Sequence, residues 1–133
     1  MSYTNEIIFS STFEEIEKLE GFLNTLQSDL SFDDEAYAKM MLVVSEAVTN
    51  GIMHGNQQDA SKKVTLSVES NGSLITFVVT DEGEGFDPDD IPDPLEEDNL
   101  LNTSGRGVFL MGEYADKAEY SNNGTTLTLA FSI

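Results

Sequence analysis

The chain has 133 residues, 39% hydrophobic and 9% aromatic, which suits one folded domain over 1–133 rather than a disordered tail. Its 25 acidic and six basic residues give a formal charge of −19, which disfavours nucleic acid and anionic lipid, and the lack of cysteine excludes disulfides and thiolate metal sites. No apolar run approaches the roughly 20 residues of a membrane helix, and Met1–Glu6 has neither the basic start nor the apolar stretch of a signal peptide, so a cytoplasmic domain is expected.

In chain order, Glu6–Ser10 reads as a short strand. Ser11 or Thr12 is expected to cap a helix whose apolar positions are Phe13, Ile16, Leu19, Phe22, Leu23 and Leu26. Asp33 or Asp34 caps a second helix, apolar at Ala36, Met40, Val43, Val44, Ala47, Val48 and Ile52, ending near His54-Gly55-Asn56. Because apolar residues cover much of its circumference, this helix should be largely buried. The period then falls to two: Val64, Leu66 and Val68 alternate with polar residues, Asn71-Gly72 turns the chain, and Leu74–Val79 is a buried strand. Residues 81–104 hold all three prolines and little periodicity, hence a long loop, and loops of that length in compact domains are usually functional or disordered. A helix from Gly107 to Tyr114 and two strands, Lys117–Ser121 and Thr125–Ile133, joined at Asn122-Asn123-Gly124, complete the chain. The order predicts an α+β fold, a two-layer sandwich with helices on one face of a mixed, mostly antiparallel sheet.

Three stretches carry chemistry. In Glu46-Ala47-Val48-Thr49-Asn50-Gly51-Ile52-Met53-His54-Gly55, residues 46, 50 and 54 share one helix face at i, i+4 and i+8. The Asn50 carboxamide can ligate a hard cation such as Mg²⁺, and the Glu46 carboxylate can hold a water or take a proton from a hydroxyl. The alternative is a solvent-facing polar stripe. Next, Asp81 closes an apolar strand, where a carboxylate is costly unless it accepts hydrogen bonds. Adenine's amino group is a suitable donor, and Gly83 and Gly85 let backbone pass close to a flat base, although an ordinary Asp-Gly turn would look the same. Finally, Gly105-Arg106-Gly107 leads into a helix, where free N–H groups and the macrodipole favour an anion, unless the glycines only cap that helix. Arg106 is the sole arginine. In so acidic a molecule a polyanionic ligand needs such local neutralisation. The acidity itself fits either a solvated face or a dock for a basic partner.

Together, in this order, the stretches resemble the N box and the two glycine boxes of the GHKL ATPases and kinases. Glu46-Ala47-Val48-Thr49-Asn50 followed by His54-Gly55, then Ile91-Pro92-Asp93-Pro94 and Asn99-Leu100-Leu101 ahead of Ser104-Gly105-Arg106-Gly107-Val108-Phe109-Leu110-Met111, is similar to anti-sigma regulatory factors of the RsbW and SpoIIAB type. That resemblance implies a Bergerat ATP-binding fold with residues 86–104 as the ATP lid. It implies Glu46 as general base, Asn50 as Mg²⁺ ligand, Asp81 as acceptor from adenine, and Gly83 and Gly85 as room for the nucleotide. Gly105, Arg106 and Gly107 would hold the phosphates, and Thr125 would support the adenine end through Asp81. Gly51 departs from the alanine common after the N-box asparagine, at a cost of up to about 1 kcal/mol of helix propensity, and is expected to touch no proposed ligand. The implied activity is Mg·ATP-dependent phosphorylation of serine or threonine on a STAS-type anti-sigma-factor antagonist, with a sigma factor as second partner and a homodimer allowed. A non-catalytic nucleotide-binding switch and a stand-alone histidine-kinase catalytic domain are the alternatives. The latter needs a phospho-acceptor histidine from another chain, since His54 lies in the N-box helix and its expected role is structural.

Overall fold

A computed structural model describes residues 2–83, 114–122 and 125–133. Five strands form one sheet in the order β1-β2-β3-β5-β4: β1 Tyr3–Ser10, β2 Lys63–Ser70, β3 Leu74–Thr80, β4 Lys117–Ser121 and β5 Thr126–Ser132. Every pairing is antiparallel, so among the described residues the sheet is not mixed as expected. Two helices, α1 Lys18–Leu30 and α2 Asp34–Asn50, supply the second layer.

The helices form where the pattern places them. In α1, Leu19, Phe22, Leu23 and Leu26 are buried at i, i+3, i+4 and i+7, one stripe against the core. The helix stops at Ser31, which takes the left-handed φ of 59° while its N–H donates to the Gln27 carbonyl. Asp33 caps α2, its carboxylate accepting the Ala36 N–H at 2.8 Å. Met40, Val43, Val44, Ala47 and Val48 are buried, so two adjoining stripes of α2 face inward.

The start of the first helix departs from expectation. Neither Ser11 nor Thr12 caps it with a side chain: the Ser11 hydroxyl, fully buried, donates to the Lys62 carbonyl at 2.8 Å. The chain instead enters through a tight 3₁₀ turn, Phe13–Glu17, which leaves Phe13 63% exposed. Glu15 does the terminal bonding, its carboxylate accepting the Ser10 N–H at 2.9 Å.

Alternation fixes the face of each strand. Val64, Leu66 and Val68 of β2, Ile75, Phe77 and Val79 of β3, and Leu127, Leu129 and Phe131 of β5 point into one core with the helices. Phe77 and Phe131 meet edge to face, ring centroids 5.8 Å apart. The β2–β3 turn is closed by the Asn71 side chain, which accepts from the N–H groups of Ser73 and Leu74, with Gly72 at φ 96°. Among the described residues no helix is long and apolar enough to cross a membrane.

Candidate functional site

The site forms where the end of α2 meets the end of β3. After Asn50 the helix widens into a π turn, Gly51–Gly55, whose closing bond runs from the Asn56 N–H to the Gly51 carbonyl at 2.8 Å. Single π turns are a recurrent feature of functional sites, because they shift the register of the side chains on either side. Glu46 and Asn50, one helical turn apart, both lie half-buried on α2, ahead of that turn. Burial pushes the Glu46 carboxyl above its ordinary range.

Asp81 is the first residue beyond β3. Its N–H continues the ladder to β5 by donating to the Thr125 carbonyl at 2.9 Å. The half-buried carboxylate sits under the π turn: a Cβ on Gly55 would stand 2.5 Å from Oδ2 and 2.6 Å from Cγ. Oδ1 accepts the Gly83 N–H at 2.9 Å. Burial raises the Asp81 pKa, opposed by that hydrogen bond and by the positive charge of Lys62. Tyr120 on β4 borders the same region, and its hydroxyl is pushed up to about 12, first by burial and then by the Asp81 charge.

The structure thus brings together the α2 end and the Asp81 loop, which are some 30 positions apart in sequence. The structure adds detail at three positions. Gly51 packs beside a site residue: a Cβ there would lie 3.2 and 3.4 Å from the Val64 methyls and 3.7 Å from the Asp81 Cβ. A side chain would crowd the strand under Asp81, a physical reason for glycine at a helical position. At Gly83, the space a Cβ would need is filled by the Gly55 carbonyl, so here glycine admits the protein's own backbone. Thr125 reaches Asp81 through its carbonyl, while its hydroxyl donates to the Asn122 carbonyl at 2.8 Å in the β4–β5 turn. Gly85, Gly105, Arg106, Gly107, the lid residues 86–104 and the helix expected from Gly107 lie outside the described residues, apart from the helical Tyr114.

Two contributors were not singled out from sequence. Gly55 looked like a helix stop, but it is the surface against which the Asp81 carboxylate rests. Asn56, 1% exposed, was read only as part of the helix end. The signal available for both was their adjacency in the stretch His54-Gly55-Asn56, next to a helix already read as functional.

The half-buried carboxylate, held by one N–H and with acceptor capacity left, suits a flat donor such as an adenine amino group. Among the described residues no cluster of three or more His, Cys, Asp or Glu could hold a metal.

Comparison with known proteins agrees with this geometry. The profile of the histidine kinase-like ATPase domain matches residues 9–131. Anti-sigma F factors of Bacillus thuringiensis (strain Al Hakam) and Bacillus anthracis (strain A0248) are each 36% identical over 100 residues, covering 71% of this chain and 68% of theirs. A crystal structure of the RsbU and RsbW domains of a Mycobacterium tuberculosis protein is similar with a TM-score of 0.64 at 13% identity, over 98% of this chain and 31% of that one. At that identity the likeness is one of fold. A glycine-seated carboxylate after β3, a Glu-x-x-x-Asn helix beside it and a family profile over almost the whole length lead to one assignment: the chain belongs to the histidine kinase-like ATPase domain family.

Proposed function

We propose that the chain is a Mg·ATP-binding anti-sigma regulatory factor that phosphorylates a serine or threonine of a STAS-type antagonist, and holds a sigma factor when that antagonist is phosphorylated. The observation that carries the nucleotide part is the seating of Asp81: a carboxylate taken partly out of water at a strand end, against a glycine backbone, with one oxygen bonded to Gly83. Such a group is worth its desolvation if a ligand donates to it. The regulatory part is supported by the relatives named anti-sigma F factor.

In this reading Asp81 accepts adenine's amino group, the Thr125 carbonyl fixes the Asp81 backbone, and Gly85 leaves room for the nucleotide. Gly105, Arg106 and Gly107 hold the phosphates, the guanidinium supplying the charge that an otherwise acidic molecule lacks. Asn50 would hold Mg²⁺, which when bound draws charge off the phosphate oxygens. Glu46 takes the proton from the acceptor hydroxyl, whose oxygen forms a bond to the γ-phosphorus as the bond to ADP breaks. Its raised pKa makes the carboxylate a stronger base than one in water.

The test is a pull-down from host lysate with and without ATP, followed by phosphotransfer from labelled ATP to the captured protein by the wild type and by Glu46→Gln. The expected product is acid-stable phosphoserine or phosphothreonine made by the wild type alone. Acid-labile label would mean a histidine kinase, and ATP binding with no Glu46-dependent transfer would mean a switch.

A further inference from the structure

We propose that Asn56 is a positioning residue for nucleotide recognition, its buried carboxamide holding the Asp81 loop in register with the end of α2. The proposal rests on the reading of Asp81 as the base-binding carboxylate.

The side chain is 1% exposed and makes three hydrogen bonds, each to a different segment. Nδ2 donates to the Ser11 hydroxyl at 2.8 Å and to the Lys63 carbonyl at 3.0 Å, tying the end of β1 and the start of β2. Oδ1 accepts the Glu82 N–H at 2.8 Å, one residue after Asp81. The backbone N–H of the same residue closes the π turn on the Gly51 carbonyl. One residue therefore terminates the helix that carries Glu46 and Asn50 and grips the loop that carries Asp81.

The chemistry asks for a primary amide. Both N–H groups point at acceptors and the oxygen faces a donor. Flipping the amide would set NH₂ against the Glu82 N–H, so the orientation follows from the network. A carboxylate would face the Lys63 carbonyl, and an apolar residue would leave the part-buried Glu82 N–H and Lys63 carbonyl without this partner. Glu82 is held a second time, its carboxylate accepting the Lys63 N–H at 2.8 Å, so its side chain is tied to β2 while its backbone N–H is tied to Asn56. Loss of the Asn56 bond frees the Glu82 end of the Asp81–Gly83 segment, and with it the placement of the Asp81 carboxylate against Gly55.

Ser11 supplies the control. It belongs to the same buried network, but its bonds run to Lys62 and Asn56 and none reaches the Asp81 loop. Full-length wild type, Asn56→Ala and Ser11→Ala are compared by amide exchange at Glu82 and Gly83 without ligand, and by calorimetric titration with adenosine and ADP. Asn56→Thr, which keeps volume but not reach, replaces the alanine variant if that fails to fold. Loss of the Asn56 bond is expected to speed exchange at both amides by about tenfold and to weaken adenosine and ADP by the same factor, also about tenfold. Ser11→Ala is expected to unfold at lower temperature yet keep exchange and affinity within about twofold of wild type. Equal weakening by the two variants would mean a general loss of packing and overturn the proposal, as would unchanged exchange at Glu82 in the Asn56 variant. A wild type that binds no adenosine would instead refute the nucleotide reading, and the ligand-free exchange would still decide whether Asn56 braces the loop.

Discussion

Replacing Asp81 by asparagine separates binding from folding. The shape is kept, and Oδ1 can go on accepting the Gly83 N–H, now 2.9 Å away. The other oxygen, lying against Gly55, becomes an NH₂ group, so the position proposed to accept from adenine would face it as a donor. A hydrogen bond to a charged acceptor contributes about 1.5–3 kcal/mol, so affinity should fall by roughly 10- to 150-fold. Adenosine, ADP and ATP should lose similar factors, because the damage is at the base. GTP should bind the wild type far more weakly than ATP, its O6 facing the carboxylate. Stability should move the other way. Burial holds the Asp81 pKa above its ordinary 3.8. Between the unfolded and folded values the native state binds more protons, so stability falls as pH rises through that window and stays lowered above it. Asparagine carries no such penalty. Asp81→Asn should therefore melt at the same or a higher temperature at pH 7, with a flatter profile as pH rises from 3.8 through the raised folded-state value. Calorimetric titration and thermal melts across that range measure both effects. Retention of adenosine affinity within twofold would refute the assignment. So would equal affinity of the wild type for ATP and GTP.

Glu46→Gln should leave ATP binding intact and lower phosphotransfer by roughly 10²-fold or more. In the wild type, activity should rise with pH through the raised Glu46 pKa, because the base works deprotonated, and the glutamine variant should lose that limb of the rate profile. Asn50→Ala should abolish the Mg²⁺-dependent part of ATP affinity and spare adenosine, measured by titration with and without the metal. Arg106→Ala should cost ATP about 1.5–3 kcal/mol and adenosine nothing, with Arg106→Lys recovering part, since an ammonium cannot fork across two phosphate oxygens. Away from the site, Asp33→Ala should lower stability in urea by about 1 kcal/mol through loss of the α2 cap at 2.8 Å.

Much of this was legible in the residues, for definite reasons. The stripes Leu19–Leu26 and Met40–Val48 repeat at helical spacing, and Val64, Leu66 and Val68 at strand spacing, because a buried face imposes its own period. A cap at Asp33 or Asp34 was readable because only a short polar side chain reaches the third N–H of a helix, and the structure selects Asp33. The first helix was misread at its start: Ser11 has the chemistry of a cap, but a long-range acceptor, the Lys62 carbonyl, takes its hydroxyl. Sequence spacing carries no information on such a competitor, since Ser11 and Lys62 meet only when β1 pairs with β2.

The site divides in the same way. That Glu46 and Asn50 share a face follows from 3.6 residues per turn, and that Asp81 is unusual follows from a carboxylate after Leu74–Val79, so both could be named from the chain alone. That Gly55 is the seat of the Asp81 carboxylate, that Gly51 must stay small beside Val64, and that Asn56 grips Glu82 were decided by tertiary structure. Each is a contact between segments distant in sequence, made by backbone or by an amide whose identity reveals no partner. Local pattern determines which groups a segment can offer, and only the packing of α2 onto the sheet determines which of them meet.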